Sequence, residues 1–264
     1  MLASTNPRSE TATTSSRLST HTSDHGDTPR WEVGHRLSAG AGVGAVVAFA
    51  IAYFVAGTPP SPDASTGAVS SYLIEHQDAL LLQAFLLSVG SVLYLMFVCR
   101  LRTVIVGAAD RDGTLSVLTV VSATALVVVL AIGDLPLTAL VWRGPQGVDP
   151  PLVRLIYDTS LLSLYSLSSA LALTTIVAPS IVILRTGVLP RALVALGLLS
   201  AAVTGAEGFG MFFRSGWMAA GSGPGLFSVI LWNLWVLAAA VSCLRHDGAR
   251  SRGPDPRLHF RDNP

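Results

Sequence analysis

Lysine is absent from this chain of 264 residues, and histidine and cysteine are scarce. Without lysine there is no Walker A lysine for nucleotide phosphates, no Schiff base and no lysine general base. All six histidines fall outside the long apolar runs, at His21, His25, His35, His76, His246 and His259. No histidine is therefore placed to ligate haem or zinc within a run, or to complete a serine–histidine pair there. Since neither HExxH nor CxxC occurs, the residues predict no metal and no cofactor.

Charge is scarce as well. Only 12% of the residues are charged, whereas 51% are hydrophobic, and the mean hydropathy is +0.57. A soluble domain carries about 25% charged residues. The formal net charge of +1 gives no reason to expect nucleic acid as a partner. This composition predicts a protein whose surroundings are the lipid bilayer.

Six apolar runs are about 20 residues long or longer. At a rise of about 1.5 Å per residue, that length crosses the roughly 30 Å hydrocarbon core of a bilayer. We predict an all-α fold, a six-helix membrane domain over 35–246 with helices at about 38–57, 79–99, 115–142, 159–184, 192–213 and 225–244. Residues 1–34 are dense in serine and threonine, so we expect a disordered tail that cannot offset its ordering entropy by burial. Residues 247–264 form a second, arginine-rich tail.

Arginine is placed unevenly on the two sides of these helices. One set of alternate connections holds only three of the 17 arginines, Arg143, Arg154 and Arg214. The opposite set holds the other fourteen, or twelve once Arg8 and Arg17 are left out as too far from a span to count. Because positive loops stay inside, we predict a protein of the cytoplasmic membrane with both termini in the cytoplasm. Cys99 and Cys243 then lie at cytoplasmic helix ends, where thiols stay reduced, and we expect no disulfide.

Local patterns predict the connections and the irregular points. Residues 64–77 carry apolar side chains near helical spacing, which predicts a short amphipathic helix on the outer surface. The third run is too long for one straight, upright span, so the helix must tilt or break, and Gly133–Pro136 is the expected break point. Pro179 is expected to kink the fourth span. Gly187 and Pro190 predict a tight hairpin, with glycine closing one helix and proline opening the next.

Gly40 and Gly44 form a GxxxG pair within the first run. The stretch Gly40–Ala45 formally matches a GxGxxA nucleotide-binding pattern, but no strand precedes it and it lies inside an apolar stretch. Two glycines spaced four residues apart allow a neighbouring helix to approach closely. We therefore predict that Gly40 and Gly44 are helix-packing positions.

A candidate intramembrane polar site consists of the polar residues Asp134, Asp158, Glu207 and Asn233. Counted along each helix, all four fall in the outer half of the bilayer, as does Gln83. An ionisable side chain in hydrocarbon costs about 2.5–3.5 kcal/mol on insertion scales and commonly marks a functional site. These residues predict an outward-facing polar pocket.

A structural interpretation of the same residues stays open. In that interpretation Asp134 hydrogen-bonds backbone freed by Pro136. Glu207 extends toward Arg214, and Asn233 joins two helices by a hydrogen bond. Only the arrangement of the helices distinguishes a shared pocket from separate structural roles.

Two local motifs flank predicted spans. The external stretch His76–Leu82 leads into the second span, which ends at Phe97–Arg102, and the stretch Arg185–Arg191 reads RTGVLPR. Together they resemble a group of uncharacterised actinobacterial multi-pass membrane proteins over about residues 65–245. The resemblance implies a helical membrane fold of about six helices and a high-GC Gram-positive source. It implies no activity.

Three functions follow from these observations. The first is a non-enzymatic accessory or interaction protein of the membrane, whose partner is another protein or a second copy of the chain. The second is a transporter or channel for a small solute or ion that uses the polar pocket. The third is a membrane-embedded enzyme, which needs two carboxylic acids within reach of one substrate. The absence of catalytic motifs favours the first.

Overall fold

The computed structural model describes residues 30–106, 113–213, 215–219 and 223–250. In chain order the helices are α1 (Arg30–Val55), α2 (Thr66–Glu75), α3 (Gln77–Val106), α4 (Thr114–Arg143), α5 (Pro150–Leu162), α6 (Ser169–Thr186), α7 (Arg191–Gly208) and α8 (Gly223–Arg250). A π-helical turn, Ser163–Leu167, joins α5 to α6, and a 3₁₀ turn, Phe209–Phe212, follows α7. The predicted tails overlap α1 and α8 at 30–34 and 247–250, which are helical, and otherwise lie outside the described residues.

Six helical stretches are long and apolar enough to cross a membrane. They are α1, α3, α4, the continuous stretch Pro150–Thr186 that contains α5 and α6, α7 with its 3₁₀ turn, and α8. The all-α fold with six spans is thereby confirmed, and the chain is an integral membrane protein. The fourth span begins at Pro150, nine residues before the predicted start, because proline is well tolerated in the first turn of a helix.

The spans follow one another around the bundle in chain order. Each packs on the next, α1 on α3, α3 on α4, α4 on α6, α6 on α7 and α7 on α8, and α8 returns to α1. The bundle has an end that carries α2, called here the α2 end, and an opposite end that carries the α6–α7 turn. Near that opposite end a core of buried side chains fills the ring, including Phe97, Leu101, Ile183 and Trp235.

The predicted hairpin between α6 and α7 is confirmed. Gly187 ends α6 with φ +64°, in the left-handed region, and its N–H donates to the carbonyl of Ile183 at 2.9 Å. Pro190 then precedes the first residue of α7. Glycine adopts this conformation without the steric penalty that a side chain would add.

The predicted break at Gly133–Pro136 is wrong, because α4 runs without interruption to Arg143. α6 is continuous through Pro179, and the kink expected there stays a prediction. Prolines are tolerated within membrane helices where neighbouring helices and hydroxyl side chains satisfy the freed backbone groups. The interruption lies instead in the π-helical turn, where the N–H of Ser168 donates to the carbonyl of Ser163 at 3.2 Å.

The predicted amphipathic helix is present as α2, but it packs on protein. Ser65 caps its first turn, its hydroxyl accepting from the N–H of Ala68 at 3.2 Å. Val69 and Leu73 are fully buried, in a cluster with residues of α4 and α5. α2 therefore covers the ends of these two helices at this end of the bundle, and its apolar face is not available to the bilayer surface.

The close approach of α1 to its neighbours is at Gly42 and not at Gly40. A Cβ atom added at Gly42 would lie 2.7 Å from Cβ of Ala240 on α8 and 2.8 Å from the ring of Phe97 on α3. At Gly44 the nearest atom, on Leu93, would be 3.2 Å away, and at Gly40 nothing lies within 4 Å. The GxxxG pattern thus identified a helix that packs through glycine, and it included Gly44, but Gly40 does not pack on a neighbour. The pattern missed Gly42, which faces both α3 and α8.

Candidate functional site: a polar cavity near the α2 end

A cavity of about 690 Å³ lies inside the ring of spans near the α2 end. Gly57, Pro59 and Tyr72 line it on the side of the loop and α2. Its deepest lining residues include Leu126 on α4 and Trp232 on α8, which lie next to the packed core. Sites for small molecules commonly have volumes of about 300–1,000 Å³, so the cavity is large enough for a ligand.

Glu207 lies on the α7 side of the cavity and is 6% exposed. Its carboxyl group interacts with the hydroxyl of Ser228 on α8, and that hydroxyl is 2.9 Å from the hydroxyl of Thr204. α8 comes this close because position 225 is glycine. A Cβ atom there would lie 3.1 Å from Oε1 of Glu207 and 3.1 Å from the ring of Tyr165.

Asp134 lies on the α4 side. One carboxylate oxygen accepts a hydrogen bond from Ser160 at 3.3 Å, and the other accepts from Thr138 at 3.4 Å. The neighbouring Gly133 packs so tightly on Ser163 that a Cβ atom at this position would overlap it. The π-helical turn thus presses against α4 beside the acid. π-helical turns frequently occur at functional sites.

Asn233 lies on the α8 side and is only partly satisfied. Its amide nitrogen donates to the carbonyl of Val229 at 2.9 Å, which is a bond within its own helix. Its side-chain oxygen and the indole N–H of the neighbouring Trp232 are buried and have no hydrogen-bond partner among the described residues. Since buried polar atoms are nearly always paired, a cavity lined by an unpaired acceptor and an unpaired donor is suited to a polar ligand or water.

Asp158, the fourth candidate, does not belong to the cavity. It pairs with Arg154 one turn earlier at 2.9 Å. Arg154 also donates to the carbonyls of Pro62 and Ala64, the latter at 2.5 Å. The pair therefore fastens the loop before α2 to the start of α5. On this helix Ser160 and Tyr157 line the cavity, whereas Asp158 lies on a different face.

Several lining residues did not stand out in the sequence. They are hydroxyl residues and tyrosines, including Tyr53, Tyr165, Thr204 and Ser228. Hydroxyl side chains in membrane helices often bond only to their own backbone, so a single sequence gives no reason to select these. The sequence feature that could have indicated this region is Gly225, because a glycine in a span allows a neighbouring helix to approach closely. Arg214, toward which Glu207 was expected to extend, lies outside the described residues.

The α2 end of the cavity is held by hydrogen bonds to the loop. The phenol of Tyr72 donates to the carbonyl of Ala56 at 3.0 Å, and that of Tyr157 donates to the carbonyl of Pro60 at 2.7 Å. Burial raises the pKa of Tyr72, so its hydroxyl remains protonated and able to donate. The loop is thereby positioned over the cavity.

The chemistry of the lining is acidic and hydrogen-bonding. The lining residues that the structure describes include two carboxylic acids, several hydroxyls and the side-chain amides of Gln83 and Asn233, and among them there is neither arginine nor histidine. Within the same described part of the chain, no group of three histidine, cysteine, aspartate or glutamate side chains is arranged to hold a metal ion. Both free cysteines lie away from the lining.

Comparisons of the chain with protein-family models, with curated proteins and with solved structures give no match. The resemblance to actinobacterial multi-pass membrane proteins therefore stays a prediction.

Proposed function

We propose that this protein is a non-enzymatic protein of the cytoplasmic membrane that binds a small molecule in the cavity. The observation that carries the proposal is that Asp134, Glu207 and Asn233, on three different spans, line the same space. If each of these side chains had only a structural role, as a hydrogen-bond partner for the backbone of its own helix, the three would not need to line one cavity. The unpaired oxygen of Asn233 supports a ligand more directly, because its amide is only half used within the helix.

Binding is better supported than transport. The half of the bundle beyond the cavity is filled by side chains such as Phe97, Leu101 and Trp235, each at most 1% exposed. A solute would cross only if the spans rearranged, since close-packed interiors leave few voids larger than a water molecule. A role in which the bound molecule acts on a partner protein, or on a second copy of the chain, needs no such rearrangement.

The arginine distribution supports an orientation in which the α2 end faces outward and both termini face the cytoplasm. Cys243 is fully buried and therefore a poor reporter of orientation, and Cys99, which is exposed, would add labelling of its own. A variant without Cys99 and Cys243 should therefore carry one new cysteine, either Gln146→Cys in the α4–α5 connection or Arg185→Cys near the α6–α7 turn. Both positions are exposed. We expect an impermeant maleimide to label Gln146→Cys on intact cells, and Arg185→Cys only after permeabilisation. The reverse pattern would overturn the orientation.

Filling the cavity tests the binding itself. Ser91→Trp places an indole at a lining position of α3, whereas Val89→Trp places one at an exposed position of the same helix that is not part of the lining. We expect the full-length protein to carry a small molecule through purification, and Ser91→Trp to lower its amount per protein about tenfold, a loss of about 1.4 kcal/mol in binding. Val89→Trp should retain the wild-type amount.

The measurement is mass spectrometry of small molecules extracted from the purified protein, with a thermal unfolding curve for each variant. If Ser91→Trp does not fold, Ala84→Phe fills the same space from the preceding turns of α3. Equal amounts of every extracted molecule from wild type and a folded cavity-filled variant would refute the proposal. A molecule that is recovered in chemically altered form only from wild type would favour the enzyme hypothesis instead.

A further inference from the structure

One wall of the cavity reaches the outer surface of the bundle. Phe85 and Val92 on α3 and Leu135 on α4 line the cavity, yet they are 64%, 61% and 67% exposed. Ser88 and Ala131, on the same two helices, are also exposed lining residues. Positions 85, 88 and 92, and positions 131 and 135, have the spacing of one helix face. These five residues, called here the α3–α4 window, flank a lateral opening of the cavity.

The window is bounded at both ends. Toward the α2 end, the side-chain amide of Gln77 on α3 donates to the carbonyl of Val141 on α4 at 2.7 Å. Toward the opposite end, Leu101 of α3 and Ala123 of α4 are buried in the same apolar core. The two helices are thus joined by a hydrogen bond at one end of the window and packed into the same core at the other. The opening is therefore a local feature of this helix pair and does not arise from helices that are separated along their whole length.

The window opens toward lipid. Its side chains are mostly apolar and lie on spans, where an exposed apolar side chain contacts acyl chains of the bilayer. In the ring order of the spans, α7 and α8 lie across from α3 and α4. The polar groups on α7 and α8, above all Glu207 and Asn233, therefore lie at the far side of the cavity from the window. Apolar side chains predominate at the lateral opening, and Glu207 and Asn233 lie at the back. Asp134, which precedes Leu135 on α4, also lines the cavity, and its carboxylate accepts from Ser160 and Thr138.

This polarity defines the class of ligand. An apolar chain is accommodated at the window, and a polar head meets Glu207, Asn233 and Ser228. Because the described lining has two acids and neither arginine nor histidine, an anionic head would meet like charge or go without a cationic partner. A head that donates hydrogen bonds satisfies the carboxyl oxygens and the unpaired oxygen of Asn233.

We infer that the cavity takes up, from the leaflet at the α2 end and through the α3–α4 window, an amphiphile with an apolar chain and a hydrogen-bond-donating head, an alcohol or an amine. This inference rests on the proposed function, since it names the class of molecule that the cavity binds. It differs from uptake of a water-soluble solute past the loop at Gly57 and Pro59.

Photoreactive amphiphiles test the inference. Dodecanol, dodecylamine and dodecyl phosphate, each with a diazirine near the head, are added to the full-length protein in lipid nanodiscs, and cross-linked residues are mapped by mass spectrometry. We expect the alcohol or the amine to label residues at the back of the cavity on α7 and α8, and the phosphate to label them about tenfold less. Glu207→Gln separates the two heads, because it should weaken labelling by the amine about tenfold and leave labelling by the alcohol nearly unchanged.

The route is tested by closing the window. Ala131→Trp places an indole in it, and Val128→Trp places one at an exposed position of α4 outside the lining. We expect Ala131→Trp to lower labelling at the back of the cavity about tenfold and Val128→Trp to have no effect. Ser88→Trp repeats the test from α3 if Ala131→Trp does not fold.

Two results would overturn the inference. One is labelling of exposed residues only, as for lipid that surrounds any membrane protein. The other is labelling at the back of the cavity that is unaffected by folded window variants. If Ser91→Trp nevertheless removes a co-purified molecule, the proposed function stands and the ligand is a solute that enters past the loop. If Ser91→Trp has no effect either, the proposed function fails with the inference.

Discussion

Replacing Asp247 with leucine is expected to lower the free energy of unfolding by about 3–5 kcal/mol, because it leaves a buried guanidinium without its carboxylate. Asp247 on α8 forms an ion pair with Arg100 on α3, and the two side chains are 10% and 8% exposed. Arg100 also donates to the hydroxyl of Thr103 at 2.8 Å. The pair ties α3 to α8 near the end of the bundle opposite α2, where these helices otherwise contact each other little.

Two further variants make the measurement specific. Asp247→Leu combined with Arg100→Leu should recover most of the lost stability, because replacing both members of a buried pair by apolar residues is often neutral. Asp158→Leu breaks the more exposed pair with Arg154 and should lower stability by at most about 1 kcal/mol. Thermal or denaturant unfolding in one detergent gives all values. A double variant as unstable as Asp247→Leu alone would show that the charge pair is not the cause.

The sequence indicated one role of Arg100 and not the other. Its position after an apolar run made it part of the arginine count from which the orientation is predicted. Its partner is 147 residues away in the chain, and no local pattern connects two such positions. Pairing at this distance depends on α8 returning to α3 across the ring, which only the three-dimensional arrangement shows.

Features that depend on residues close together in the chain were predicted better than features that depend on packing between helices. The number of spans follows from the length of the apolar runs, and the hairpin at Gly187 follows from the conformation that glycine permits. The break expected at Pro136 was wrong, because the surroundings of a membrane helix can satisfy the groups that proline frees. The π-helical turn Ser163–Leu167 was not predicted, because its residues are ordinary hydroxyl and apolar types.

In the candidate site, too, single residues were predicted from the sequence, whereas their arrangement around one cavity was not. Asp134, Glu207 and Asn233 were selected singly, because a polar side chain at that depth is costly. Asp158 was selected by the same rule, but it lies near the start of its helix, where Arg154 and the loop engage it. Whether the other three meet depends on the rotation of α4, α7 and α8 about their axes. Those rotations are set by packing contacts such as Gly225 on Glu207 and Gly133 on Ser163.

Glu207→Leu is expected to lower the free energy of unfolding by about 1–3 kcal/mol, because the hydroxyl of Ser228 loses its carboxyl partner in a buried place. Glu207→Gln keeps the shape and one acceptor oxygen, so its unfolding should differ from wild type by less than about 1 kcal/mol. The comparison between the two variants separates hydrogen bonding from charge. The unfolding curves are measured in the same detergent, together with the amount of co-purified small molecule.

The partner of Glu207 can be tested by a double-mutant cycle with Ser228→Ala. If the carboxyl and the hydroxyl act as a unit, the double variant should lose less stability than the sum of the single variants, with a coupling of about 0.5–3 kcal/mol. Strict additivity would mean that Glu207 faces only the cavity. In that case Glu207→Leu should still reduce the co-purified molecule, since it removes the polar end of the ligand site. A leucine variant with unchanged stability and an unchanged amount of that molecule would leave Glu207 without either role, and the polar end would then depend on Asn233 and Asp134.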